Sequence, residues 1–203
     1  MVRALLSALA LLLCLGACAG EDGFSPQLPD QPGAQPLPLS EDAAYLLQVF
    51  DLDDSAQLLA LQAPEGAVGL EVTVYRLGDD LAWKKTGGGE VIGGSPEDVS
   101  GVFAMEAGQD QVVSLHFHGG GVGYAIETDP IPTPEAYGYS MNVFLTEFQE
   151  MELDEEIPIA LLAYDVSSFS ENLPLSDFFT PANLEGINLV QAVTLTFTSS
   201  PAL

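Results

Sequence analysis

Val112-Val113-Ser114-Leu115-His116-Phe117-His118 is the stretch whose reading decides the fold. Val113, Leu115 and Phe117 alternate with Ser114, His116 and His118, and period two is the period of an extended chain with one face buried. A helix would scatter the same three hydrophobic side chains around its axis. The pattern recurs outward from this segment. Leu70, Val72 and Val74 alternate with Glu71, Thr73 and Tyr75. Leu189, Val193, Leu195 and Phe197 alternate with Val190, Thr194, Thr196 and Thr198, and Gln191 interrupts the inward set. Residues 45–50, 57–61, 101–105, 122–127, 139–148 and 157–164 supply further strand candidates. Turn residues punctuate the series at Pro64-Glu65-Gly66, Gly78-Asp79-Asp80, Gly87 to Gly89, Gly93-Gly94, Ala107-Gly108 and Gly119 to Gly121. No segment carries a helical stripe, and only Ser176 to Leu184 reads as a short turn, with Ser176 or Asp177 as its cap. The expectation is all-β: an antiparallel two-sheet sandwich, jelly-roll or immunoglobulin-like, of about nine strands with little helix.

The charge balance limits the partners. The chain of 203 residues holds 30 Asp and Glu against 4 Lys and Arg, yet 47% of it is hydrophobic, so it can build a core. Arg76, Lys84 and Lys85 are the only cations beyond Arg3. With no basic stripe, nucleic acid is excluded as a partner. Anionic headgroups repel such a chain as well, so any hold on a membrane must come from something other than its charge.

The first residues supply that hold. Arg3, the Leu- and Ala-rich run from Ala4 to Leu15 and the small residues Gly16, Ala17, Cys18 and Ala19 have the three parts of a secretory signal. The apolar run is too short to span a bilayer as a helix. Leu15-Gly16-Ala17-Cys18 resembles the lipobox of bacterial lipoproteins. That resemblance implies cleavage before Cys18, acyl chains on Cys18, and a precursor signal of residues 1–17. It covers only the first 20 residues. Ala19, where inner-membrane retention uses Asp, is similar to the outer-membrane sorting pattern. Ala17-Cys18-Ala19 also fits ordinary secretion with cleavage after Ala19, which would leave a secreted or periplasmic domain. Only Cys14 and Cys18 are cysteines, so processing leaves no intramolecular disulfide.

Residues 18–40 then read as a lipidated cysteine and an acidic, proline-rich tether. Pro26, Pro29, Pro32, Pro36 and Pro38 disfavour both helix and sheet pairing. About 20 residues in the extended proline form reach up to about 60 Å. Residues 41–203 form the single β-sandwich domain.

Candidate sites are few. His116 and His118 share one face of their strand, about 7 Å apart, and two neutral imidazoles there are potential zinc or copper ligands. His116-Phe117-His118 resembles the first cupin motif, but neither its glutamate nor its later histidine follows. Exposed strand positions are the simpler account. Asp51-Leu52-Asp53-Asp54-Ser55 starts like a calcium loop, yet Ala56 and Gln62 stand where an EF-hand needs glycine and glutamate. A structural calcium at a looser site, near Glu150, Glu152, Asp154, Glu155 and Glu156 for instance, is the one cofactor expectation. Trp83, Tyr75, Tyr124, Tyr137 and Tyr139 suit either sugar stacking or core packing.

Leu173-Pro174-Leu175-Ser176-Asp177-Phe178, followed by Leu184 to Phe197, is similar to the final strands of galactose-binding-like jelly rolls in carbohydrate-binding modules. The resemblance covers about 30 residues, implies a jelly-roll end, and transfers no ligand residue. Standard nucleophile, phosphate and dinucleotide motifs are absent. The sequence therefore points to an outer-membrane, surface-anchored lipoprotein whose β-sandwich is a non-catalytic binding or adhesion module, with a saccharide or an envelope protein as partner. The alternatives are a structural or envelope-assembly lipoprotein without a small ligand and, behind it, a metal-dependent or carboxylate-pair hydrolase.

Overall fold

The computed structural model describes residues 26–132, 137–167 and 173–200. Its eleven described strands form two sheets, and the fold is an antiparallel all-β sandwich, as the alternation requires. The strands are β1 (Gly33–Pro36), β2 (Ala56–Gln62), β3 (Gly69–Leu77), β4 (Trp83–Ile92), β5 (Gly101–Ala107), β6 (Val113–Gly119), β7 (Val122–Glu127), β8 (Tyr139–Phe144), β9 (Gln149–Glu150), β10 (Glu156–Asp165) and β11 (Leu189–Thr198). One sheet runs β7-β6-β5-β2-β1-β9 and the other β4-β3-β11-β10-β8. The chain leaves β2 for the β3–β4 hairpin of the second sheet and returns to pair β5 beside β2.

The core lies between the sheets. Leu59, Leu61, Phe103, Met105, Leu115 and Phe117 face Leu70, Val72, Leu162, Val193, Leu195 and Phe197, all fully or almost fully buried. Gln191 breaks the inward row because it sits where the sandwich ends; it is buried and its amide donates to the Gln111 carbonyl at 3.2 Å. A second apolar layer covers the outer face of the β4–β8 sheet. There Leu161, Val190 and Ala192 pack under Phe178 and Leu184, which belong to the 3-10 turns Leu175–Phe179 and Pro181–Leu184.

Glycines close one side of the sandwich. In β4, Gly88 has φ +121, and a Cβ there would collide with the Val72 carbonyl. A Cβ on Gly89 would strike the Tyr124 hydroxyl of β7. The run Gly87 to Gly89 reads as a turn in the sequence, yet it is strand, because the bare backbone lets the β4 and β7 edges approach.

Two other expectations are corrected. Gly33–Pro36 lies in the expected tether but is a strand, paired with β2 and β9. Pro36 ends the segment, where a missing donor is tolerated. Residues 45–50, expected as a strand, belong instead to helix α1 (Glu41–Val49) and its C-cap. Ser40 caps the helix by accepting from the Ala43 N–H at 3.2 Å, and Glu41 and Asp42 occupy its first turn, where the helix dipole favours acids. No residue of α1 is buried, so no core-facing stripe marked it. The short turn expected at 176–184 is present, but neither Ser176 nor Asp177 caps it; the Asp177 carboxylate accepts from the Asn183 amide at 2.7 Å.

Candidate functional site

A cleft of about 610 Å³ opens beside the second apolar layer, a size that suits a small ligand. Its walls come from three stretches: the end of β8 and the loop to β9 (Val143 to Gln149), the start of β10 (Glu155 to Pro158), and the 3-10 turn with its lead-in (Pro174 to Ser176, and Phe179). Phe148 and Phe179 are exposed rings on these walls, 42% and 65% accessible. Glu147, Glu155 and Glu156 supply carboxylates, and Thr146 and Ser176 supply hydroxyls. Among the described residues no Lys, Arg or His lines the cleft.

Glu156 is held in place. Its carboxylate accepts from the Tyr75 hydroxyl at 2.8 Å and from the Thr194 hydroxyl at 2.6 Å. Burial, and the bond to Glu156 after it, push the Tyr75 phenol up to about 12. Tyr75 also packs against the Phe178 ring at 6.1 Å. Phe178 in turn stacks on Trp83 at 5.3 Å with the rings 25° apart, while the Trp83 indole N–H donates to the Phe178 carbonyl at 2.9 Å. This cluster fixes the turn that carries Phe179 to the cleft edge, where Phe179 meets Phe178 edge-on at 5.2 Å.

Trp83 and Tyr75 therefore serve as packing beneath the strap that the two 3-10 turns, Leu175–Phe179 and Pro181–Leu184, lay over the sheet. Tyr124 packs against the core, Tyr137 leans on Tyr164 with ring centroids 6.0 Å apart, and Tyr139 is exposed on β8. The phenylalanines that line the cleft were not among the expected site residues. Their signal was slight: Phe148 ends the expected strand 139–148, and Phe179 follows directly on the Leu173–Phe178 motif.

His116 and His118 stand on the exposed outer face of β6, opposite the buried Val113, Leu115 and Phe117. Their cross-strand neighbours are small or aliphatic: Ala104 and Ala125 beside His116, Val102 and Gly123 beside His118. They line a shallow groove of about 390 Å³ that holds no carboxylate among the described residues. Among the described residues no group of three or more His, Cys, Asp or Glu is placed to hold a metal ion, around the histidines or in the acidic runs. Asp154 instead accepts from the Ser199 backbone N–H at 2.9 Å, which holds its carboxyl below the usual range. Cys18 lies outside the described residues. Among the described residues no helix is long and apolar enough to cross a membrane.

Searches against protein-family models, curated proteins and solved structures each found no match to this chain.

Proposed function

We propose that this chain is an outer-membrane lipoprotein whose β-sandwich is a non-catalytic binding module, and that the cleft between Phe148 and Phe179 takes a neutral saccharide. The cleft carries the reading. Exposed rings stack against the C–H faces of a sugar, while carboxylates and hydroxyls accept from and donate to its hydroxyl groups. The absence of a cation from its walls, on a chain of net charge −26, disfavours an anionic sugar. The anchor rests on Leu15-Gly16-Ala17-Cys18.

The test is a screen of the purified protein against neutral and anionic oligosaccharides, followed by calorimetry. A neutral glycan binds, and Phe179→Ala weakens it about tenfold, the loss of one stacking contact worth about 1.4 kcal/mol. Blank results across the neutral glycans, or binding indifferent to both Phe148→Ala and Phe179→Ala, overturn the site. Mass spectrometry of the mature N-terminus tests the anchor; an unmodified chain beginning at Gly20 overturns it.

A structural or envelope-assembly role without a small ligand is supported by one feature. Edge strand β8 (Tyr-Ser-Met-Asn-Val-Phe) carries no charge, whereas the opposite edge, β4, carries both Lys84 and Lys85. Uncharged edges accept a further strand, and lysines prevent it. Loss of an envelope partner on Ser140→Lys, with saccharide binding blank, would favour that role.

A further inference from the structure

Helix α1 is anomalous for a surface helix. None of its residues is buried, yet it is not polar. Of the ten exposed large hydrophobic residues among those described, five (Leu39, Tyr45, Leu46, Val49 and Phe50) fall within residues 39–50. Tyr45 and Val49, like Leu46 and Phe50, are four apart, so they are stacked neighbours on the helix surface. They make one uncharged band, with Tyr45 65% and Phe50 68% accessible. Charges lie only at its ends: Glu41 and Asp42 before it, Asp51, Asp53 and Asp54 after it.

We infer that this band lies on the surface of the lipid bilayer and orients the domain on it, an inference that rests on Cys18 being the acylated residue. Chain length keeps the helix within reach of the bilayer. Gly33, the start of β1, lies fifteen positions after Cys18, a reach of at most about 50 Å. β1 leads through residues 37–40 into α1, so the tether and the helix leave opposite ends of the same four-residue strand.

A second copy of the chain is the weaker occupant. Nine helical residues give a face about 14 Å long and about 10 Å wide. That is far less than the roughly 800 Å² per partner that a stable dimer buries. A bilayer sets no such minimum, because the acyl chains already hold the domain at high local concentration and the helix has only to bias its orientation. The flanking carboxylates keep the helix at the headgroup level and select neutral headgroups over anionic ones.

The experiment uses the acylated full-length product in phosphatidylcholine–phosphatidylethanolamine vesicles. With Cys14 removed with the signal and Cys18 acylated, Val49→Cys supplies the one free thiol for a nitroxide label. Ile92→Cys, at an exposed position on the far edge strand β4, is the aqueous reference. A water-soluble nickel chelate reaches the label at 49 at least threefold less than the label at 92, and Leu46→Asp with Phe50→Asp abolishes the difference. Equal accessibility at 49 and 92 overturns the inference. So does protection at 49 that rises with the protein-to-lipid ratio, since that marks a second copy. Flotation and mass spectrometry of the same sample separate the two failures: protein that does not float, or that lacks acyl mass on Cys18, overturns the anchor and this inference with it.

Discussion

Replacing Phe178 with alanine tests the link between the second apolar layer and the cleft. The ring is buried, stacks on Trp83 at 5.3 Å, meets Tyr75 at 6.1 Å and Phe179 at 5.2 Å, and packs in the cluster containing Leu161, Leu184, Val190 and Ala192. Phe-to-Ala substitutions in cores cost about 3–5 kcal/mol. The strap is held by two short 3-10 turns and pairs with no strand, so it can relax into the gap; we expect the lower end, about 3 kcal/mol. For an ordered unit of this size that lowers Tm by about 6–12 °C. Trp83 is the only tryptophan, so its emission reports on the strap alone and shifts to the red as the indole loses its cover. Saccharide affinity falls as well, because Pro174, Leu175 and Phe179 form one wall of the cleft. Phe179→Ala is the control: exposed at the rim, it changes affinity while Tm stays within about 2 °C. A Phe178→Ala protein with Tm within about 2 °C of the parent and unchanged Trp83 emission would refute the claim that this stack holds the strap.

Further outcomes follow from single side chains. Burial raises the Tyr164 phenol to about 12, so the folded state holds that proton more tightly than the unfolded chain; the stability it carries is full below about pH 10 and is lost as pH rises through about 12. Tyr164→Phe matches the parent at pH 7 and exceeds it by about 2 kcal/mol above pH 12 in urea melts. The Asp165 carboxyl is held below its usual range, first by the Ser167 backbone N–H, and it also accepts from the Ser167 hydroxyl at 2.8 Å and the Asn188 N–H at 3.3 Å. Asp165→Asn therefore costs about 2 kcal/mol at pH 7, and the gap closes as pH falls below about 4 and the parent loses its charge. Gly89→Val pushes Tyr124 out of its seat against β4 and destabilises by about 2 kcal/mol in the same melts. The double variant His116→Ala, His118→Ala leaves Tm within about 2 °C, with or without added zinc, since both side chains stand on an exposed face with no carboxylate in their groove.

Strands with one buried face were legible because alternation is forced on them. β6 buries one parity of side chains and β3 does so apart from Thr73, while β11 keeps an alternation of residue type although Val190, Ala192 and Thr194 on its outer face are also buried; β7 begins and ends where its pattern does. Failures came where another constraint replaced that signal. β4 contains Gly87 to Gly89 for closeness to β7, so it lacks the side chains from which a strand is read. β1 is four residues long and β9 two, too short to show a period, and β1 lies among prolines that argue against it. α1 escaped notice because a helical stripe is recognised by what it buries, and no residue of this helix is fully buried.

The cleft was illegible for a different reason. Its rings, Phe148 and Phe179, are 31 positions apart, and two of its three carboxylates, Glu155 and Glu156, come from a further stretch, so no local motif joins them. What joins them is the strap over the β4–β8 sheet, and the strap is seated by Phe178 and by Trp83 and Tyr75, two residues that sequence alone leaves divided between sugar stacking and packing. Structure divides the labour: Phe178 is buried, Trp83 and Tyr75 are half-buried against it and fix the turn, and the exposed phenylalanines face the cleft. An aromatic that meets a ligand must stay open to water in the free protein, and one that builds the site must be covered. Burial, which depends on distant parts of the chain, separates the two roles, and residue type does not.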